Sequence, residues 1–169
     1  MVSCPGTGQD GELQMGLGRA YVDNGDGTIT DTRTGLMWEK LSDDGTIHDK
    51  DNTYTWADAF AAKMVGLNGG SGFAGHTDWR LPNVNELQSL VSYGASFPAV
   101  YPPFYTACVP GCTVLTCSCT FPNVLAYFWS STTVATDPNG AWYVGFDGGG
   151  MAYNNKLNAL YVRAVRGGL

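Results

Sequence analysis

Four of the five cysteines fall between positions 108 and 119, as Cys108, Cys112, Cys117 and Cys119. Sulfurs this close together pin the chain around them, so any fold for this sequence must accommodate a stapled loop. In an exported protein they form two disulfides, with three connectivities open; joining Cys117 to Cys119 strains most, because a single residue separates them. The alternatives are free thiols or a four-thiolate zinc site, whose usual pair of CxxC knuckles differs from the CxxxCxxxxCxC spacing here. Cys4 is left over near the start.

The chain has 169 residues, enough for one domain with a real core, and a second full domain is not expected. Its 12% aromatic content excludes disorder. The apolar stretches are shorter than the roughly 18 to 20 residues that span a bilayer, and the first residues lack a signal-peptide pattern. A soluble chain without membrane insertion is expected. With a net charge of -6 and only nine Lys plus Arg, no basic stripe exists to neutralise phosphates, so nucleic acid and sulfated polyanions are poor partners. Many Gly, Asn, Ser, Thr and Tyr with little charge suit a loop-rich extracellular module, or a surface of rigid aromatics and small polar groups.

Residues 1–17 read as an extended arm and 18–169 as a single α+β domain. Short β-rich runs at 20–23, 28–31 and 36–39, separated by NGDG and TRTG, predict a meander. An acidic loop follows at 43–52. Thr55 and Asp58 then open a helix, on which Trp56, Ala59, Phe60, Met64 and Leu67 keep helical spacing until Gly69 and Gly70. A second helix is predicted from Asn83, with Glu86 completing a capping box, through Leu87, Leu90 and Val91 to about Tyr93, closed by Gly94. Residues 95–127 form an irregular cysteine-containing insertion. Strands return at 128–131, 141–147, 151–153 and 160–166. In the second of these, Trp142, Val144 and Phe146 alternate with Tyr143, Gly145 and Asp147, which predicts one core face and one outward face.

Three segments carry a resemblance: DNGDGTITDTRTGLMWEK, DWRLPNVNELQSLV and FWSSTTVATDPNGAWYVGFDGGGMAYNNKLNALYVRAVRGG. In this order they resemble the Lcl C-terminal domain family. The resemblance implies a C-type-lectin-like fold related to the formylglycine-generating enzymes, with two helices flanking a small twisted antiparallel sheet, long loops and neighbouring termini. The last segment is also similar to the variable proteins of diversity-generating retroelements, which makes 129–169 a candidate variable and ligand-binding region. There, adenine-directed mutagenesis of Asn codons reaches Gly, Asp, Ala, Leu, Tyr and Ser but never Lys, Trp, Glu, Gln or Met. Gly145, Asp147, Gly148, Gly150, Ala152, Asn154, Leu157, Asn158, Ala159 and Leu160 belong to the reachable set and are expected to point outward. Trp129, Trp142, Met151 and Lys156 lie outside it and would be scaffold.

Calcium-dependent sugar binding needs converging oxygen ligands. Pro138 and Asn139 lack a preceding Glu, no WND triplet follows, and Asp23 to Gly27 reads as a hairpin turn, so no metal or cofactor is expected. Formylglycine-type chemistry requires cysteines late in the fold, and none follows Cys119. His48 and His76 are isolated from any nucleophile and read as structural or surface groups, as does the Asp78 to Pro82 string. Arg163 and Arg166 are expected to pair with carboxylates. Tyr143, Tyr153 and Tyr161 with Asn154, Asn155 and Asn158 make up an expected contact patch. The chain is thus expected to be a binding module and not an enzyme, taking a protein or glycan on a cell or virus surface. The alternative is a fixed-sequence extracellular adhesin domain for polysaccharide. Neither reading sets an oligomeric state.

Overall fold

The computed structural model describes residues 5–8, 18–120 and 125–167. Cys4 and most of the expected N-terminal arm lie outside them. The early turns form the meander through their own side chains: Asp23 Oδ1 accepts from Gly25 N, and Asp26 Oδ1 accepts from both Thr28 N and its hydroxyl. These Asx turns link β1 (Tyr21–Asp23) to β2 (Thr28–Asp31), which pairs antiparallel with β3 (Leu36–Glu39).

After β4 (Thr53–Tyr54), Thr55 caps the helical segment α1 by accepting from Asp58 N. This segment runs over 56–68, with a π-helical stretch at Ala59–Met64 inside it. The second helix, α2 (Val84–Gln88), opens with the predicted capping box of Asn83 and Glu86. It ends five residues before the predicted boundary at Tyr93. The chain past Ser89 is drawn off into pairing with the next loop, as Ser92 N donates to Ala99 O and Val91 bridges Val100. Capping reads the start of a helix well, but tertiary pairing set its end.

Five more strands follow among the described residues: β5 (Tyr127–Val134), β6 (Asp137–Gly145), β7 (Gly150–Asn155), β8 (Leu160–Tyr161) and β9 (Val165–Gly167). One sheet has the order β1-β2-β3-β9, and the other the order β4-β8-β5-β6-β7, where only β5 and β8 run parallel. The fold is therefore α+β, and the described residues form two longer helical segments, a short 3-10 turn at Pro102–Phe104, one antiparallel sheet and one mixed sheet. The single final strand predicted over 160–166 is instead two strands in different sheets. Between them Val162, Arg163 and Ala164 are all buried, and Arg163 is held by donating to Glu39 O, Cys119 O and Thr120 Oγ1.

Successive residues of β5 and β6 alternate between two cores, as the pleat requires. Phe128, Val144 and Phe146 join Ile29, Trp38, Leu87 and Phe104 on one side. Trp129 and Ala141 join Leu67, Trp79, Leu81 and Leu160 on the other. The four clustered cysteines form two disulfides, Cys108 with Cys119 and Cys112 with Cys117. They pack into the first core, and the loop is tied down where Cys119 N donates to Leu41 O and Asp43 N donates to Cys112 O.

Trp142 departs from the expectation of a fully buried side chain. It is only half-buried, because its cross-strand partner is Tyr153 on the edge strand β7, and the two rings meet edge to face at 5.8 Å. Trp129, by contrast, has zero exposure. Trp142→Ala should therefore cost about 2 kcal/mol, short of the roughly 3 to 5 of a fully buried aromatic. Tyr153→Ala, at an exposed edge, should change stability by no more than about 0.5 kcal/mol. Urea unfolding of both variants measures this, and a Trp142→Ala loss as large as that of a core tryptophan would refute the half-buried assignment.

Candidate ligand-binding site

The register of the second sheet decides which side chains can meet. Tyr127 pairs with Gly145, which pairs with Gly150, and Tyr143 pairs with Ala152. Paired residues share a face, so Tyr127, Tyr143, Gly145, Gly150 and Ala152 form one patch with Asn154, opposite Ala141, beside it. Toward Trp129 this face is covered by the second core. Toward the β6–β7 turn it opens into a cavity of about 320 Å³ lined by Tyr127, Tyr143, Gly145, Asp147, Gly148, Gly150, Met151 and Ala152.

Aromatic walls and small floor residues shape this cavity. The Tyr127 and Tyr143 rings lie 4.7 Å apart at 31°. Burial, with Tyr127 and the Asp147 carboxylate adding to it, pushes the Tyr143 hydroxyl pKa up from its ordinary value. Gly145 is itself buried, since a Cβ there would lie 2.7 Å from Asp147 Oδ1 and 3.1 Å from Tyr127 Cδ1. The turn is fixed from behind. Gly149 sits at φ +79°, where a Cβ would strike Val91 at 2.5 Å, and its N–H donates to Gly145 O.

Six of the residues expected from sequence line this cavity: Tyr143, Gly145, Asp147, Gly148, Gly150 and Ala152. The others stand elsewhere. Leu160, expected outward, is 8% exposed and belongs to the second core, because β8 is an interior strand of its sheet. Tyr153 is exposed but shares its face with Trp142, on the side away from Tyr143. Tyr161 packs on Phe128 at 5.6 Å. Leu157, Asn158 and Ala159 are exposed in the turn after β7. The asparagines around them close that turn: Asn154 Oδ1 accepts from Asn155 N and from Asn158 Nδ2, and Asn155 Oδ1 accepts from Leu157 N. The expected patch of three tyrosines and three asparagines is thus divided between two faces and a turn.

Tyr127 and Met151 were missed. Tyr127 falls at the end of what reads as an insertion, yet it stands two residues before Trp129, and the strand's period of two would have placed it on the same face. Met151, assigned to scaffold, is half-exposed at the cavity rim. Lys156, also assigned to scaffold, donates to Thr133 Oγ1 and Pro138 O and lies 4.1 Å over the Trp56 ring.

Several other charged groups are engaged in the framework. Glu39 is fully buried, with Lys63 Nζ at 2.5 Å and His48 Nδ1 at 2.7 Å from Oε1, while Oε2 accepts from Ala164 N. Burial alone would raise the Glu39 pKa, but Lys63 and His48 more than offset it and hold the carboxyl down at about 2. Burial also lowers Arg163 to about 10, with the Glu39 charge opposing. Arg166 pairs with Asp78, and Arg80 makes a two-point pair with Glu86 beside a longer contact to Gly167 O. In the acidic loop, Lys50 Nζ sits 3.1 Å from Asp43 and 2.7 Å from Asp51.

An α+β domain with a stapled loop and an aromatic, glycine-floored cavity at one sheet end is the class these features define. The chain belongs to the Lcl C-terminal domain family, whose model matches residues 27–166. No curated protein matches the sequence. No helix among the described residues is long and apolar enough to cross a membrane.

Proposed function

We propose that this chain is a ligand-binding module of receptor or adhesin type on a C-type-lectin-like scaffold, working by contact and not by catalysis. In this reading it is the variable protein of a diversity-generating retroelement and displays its diversified surface extracellularly, on a cell or virion, toward a protein or glycan without calcium. The observation that carries it is the convergence of Tyr143, Gly145, Asp147, Gly148, Gly150 and Ala152 on one cavity. Gly145, Asp147, Gly148, Gly150 and Ala152 were singled out by codon reachability and Tyr143 by strand alternation and the aromatic contact patch, and they fall together at a turn whose backbone is held by Gly149. Rigid strands presenting exchangeable side chains are what a variable binding surface requires.

The test is deep sequencing of the 3′ end of the gene across its source population. Substitutions should concentrate at codons 143, 145, 147, 148, 150, 152, 154 and 157–159. Codons 129, 142 and 156 should stay fixed, and so should codon 160, because Leu160 is core. Uniform variability across residues 20–167 would refute diversification and leave the fixed adhesin domain for polysaccharide, for which the paired Tyr127 and Tyr143 rings would serve as a stacking platform.

A further inference from the structure

Among the described residues, the Asp147 carboxylate has no hydrogen-bonding or ion-pair partner; only the residue's backbone oxygen is used, accepting from Phe97 N. The carboxylate nevertheless lies over the cavity floor, since the point 2.7 Å from its Oδ1 where a Gly145 Cβ would stand is also 3.1 Å from the Tyr127 ring. The Tyr143 hydroxyl feels the same charge. One acceptor-only group therefore faces an open space walled by two aromatic rings and a thioether, with no Lys, Arg or His among the residues lining it. Most basic side chains are committed elsewhere: Lys40, Lys50, Lys63, Arg80 and Arg166 are in other ion pairs, Arg33 donates to Gly18 O, Lys156 donates to Thr133 Oγ1 and Pro138 O, and Arg163 is buried.

Such a space favours a cation that can both stack and donate two hydrogen bonds to the carboxylate oxygens. A guanidinium does both, because its plane lies on an aromatic face while its fork meets a carboxylate at two points. An ammonium offers only a point charge, and a sugar hydroxyl makes a weaker, neutral hydrogen bond to the carboxylate. The net charge of -6 draws cationic partners toward the surface as a whole. We propose that this cavity receives an arginine side chain of a protein partner, stacked against the Tyr127 and Tyr143 wall and paired with Asp147. This rests on the binding-module reading and names the ligand chemistry for the sequence variant in hand.

The experiment is an amide-shift titration of the 15N-labelled full chain with N-acetyl-arginine methylamide. Its neutral isostere N-acetyl-citrulline methylamide, N-acetyl-lysine methylamide and methyl α-mannoside are the comparison probes. Arginine should shift the Gly145, Gly148 and Gly150 amides saturably, with citrulline weaker by about tenfold or more, as loss of a charge-assisted pair implies. Asp147→Asn should lose the same factor without unfolding, since none of the described hydrogen bonds or ion pairs uses the carboxylate. Gly150→Val should also lose it: an added Cβ there meets nothing within 4 Å, so the side chain enters the cavity without disturbing the fold. Equal shifts by citrulline, or undiminished arginine binding by Asp147→Asn, would overturn the pairing. Saturation by the mannoside alone would also overturn it while leaving a binding module in place. Silence from every probe would overturn the arginine assignment only, since population sequencing judges the module separately.

Discussion

Replacing Glu39 by Gln is expected to destabilise the protein by about 3 to 5 kcal/mol, the cost of leaving a buried charge without its counterion. The Lys63 ammonium is 1% exposed, and among the described residues its hydrogen-bonding partners are Glu39 and Ile47 O. Gln keeps the shape but removes the charge that holds Lys63, His48 and the backbone of Ala164 together. The neutral pair Glu39→Gln with Lys63→Met should recover a substantial part of the loss, because the stranded ammonium goes with it. The pH dependence has a definite sign. The Glu39 carboxyl is held at about 2 in the folded protein against 4.5 for the free group, so its contribution is fully present above about pH 4.5. It then fades as pH falls toward 2. Urea unfolding followed by tryptophan fluorescence from pH 7 to pH 3 should show the wild-type stability falling over that window more steeply than that of Glu39→Gln. A loss under about 1 kcal/mol at pH 7 would refute the picture of Glu39 as the counterion that retains Lys63 in the core.

The cluster around Glu39 marks where sequence reading stops. Local signals were legible: Asn83 and Glu86 opened α2, Thr55 opened α1, and alternation in β6 placed Val144 and Phe146 in the core. These depend on neighbours within a few residues, which the chain prints directly. Long-range partnership was not legible. Glu39 reads as one charge at a strand end, His48 as one histidine in an acidic loop and Lys63 as one helical lysine, yet the fold brings all three to a single carboxylate oxygen. Arg163 likewise looked like a strand residue pairing with an acid, whereas it bonds carbonyl oxygens of two distant segments and splits the final strand in doing so. In the cavity, Tyr143, Gly145 and Asp147 could be read from alternation within one strand. Opposite faces for Tyr143 and Tyr153 could not, because that requires the pairing of β6 with β7. The burial of Leu160 depends in the same way on β8 lying between β4 and β5.

The outer disulfide should matter more than the inner one, although both sit in the same loop. The bridge between Cys108 and Cys119 closes a separation of 11 residues, and that between Cys112 and Cys117 a separation of 5. Loop-closure entropy alone then assigns about 3 kcal/mol to the first and about 2 to the second. The structure adds to the difference. Cys119 lies in the first core with zero exposure, its N–H donates to Leu41 O, and its carbonyl takes one of the Arg163 N–H groups, so loosening it unseats a buried guanidinium as well. Among the described hydrogen bonds, Cys112 reaches beyond its own loop only to the backbone N–H of Asp43. The double variants Cys108→Ala/Cys119→Ala and Cys112→Ala/Cys117→Ala, each unfolded in urea without reductant, should differ by at least about 1 kcal/mol, the outer pair being the less stable. An excess of dithiothreitol added to the wild type should lower its stability at least as far as the outer pair alone. Equal losses from the two variants would mean that Arg163 holds the Cys119 backbone in place without the bridge. The ion and hydrogen-bond framework centred on Glu39 would then anchor the loop, and the sulfurs would only shorten the unfolded chain.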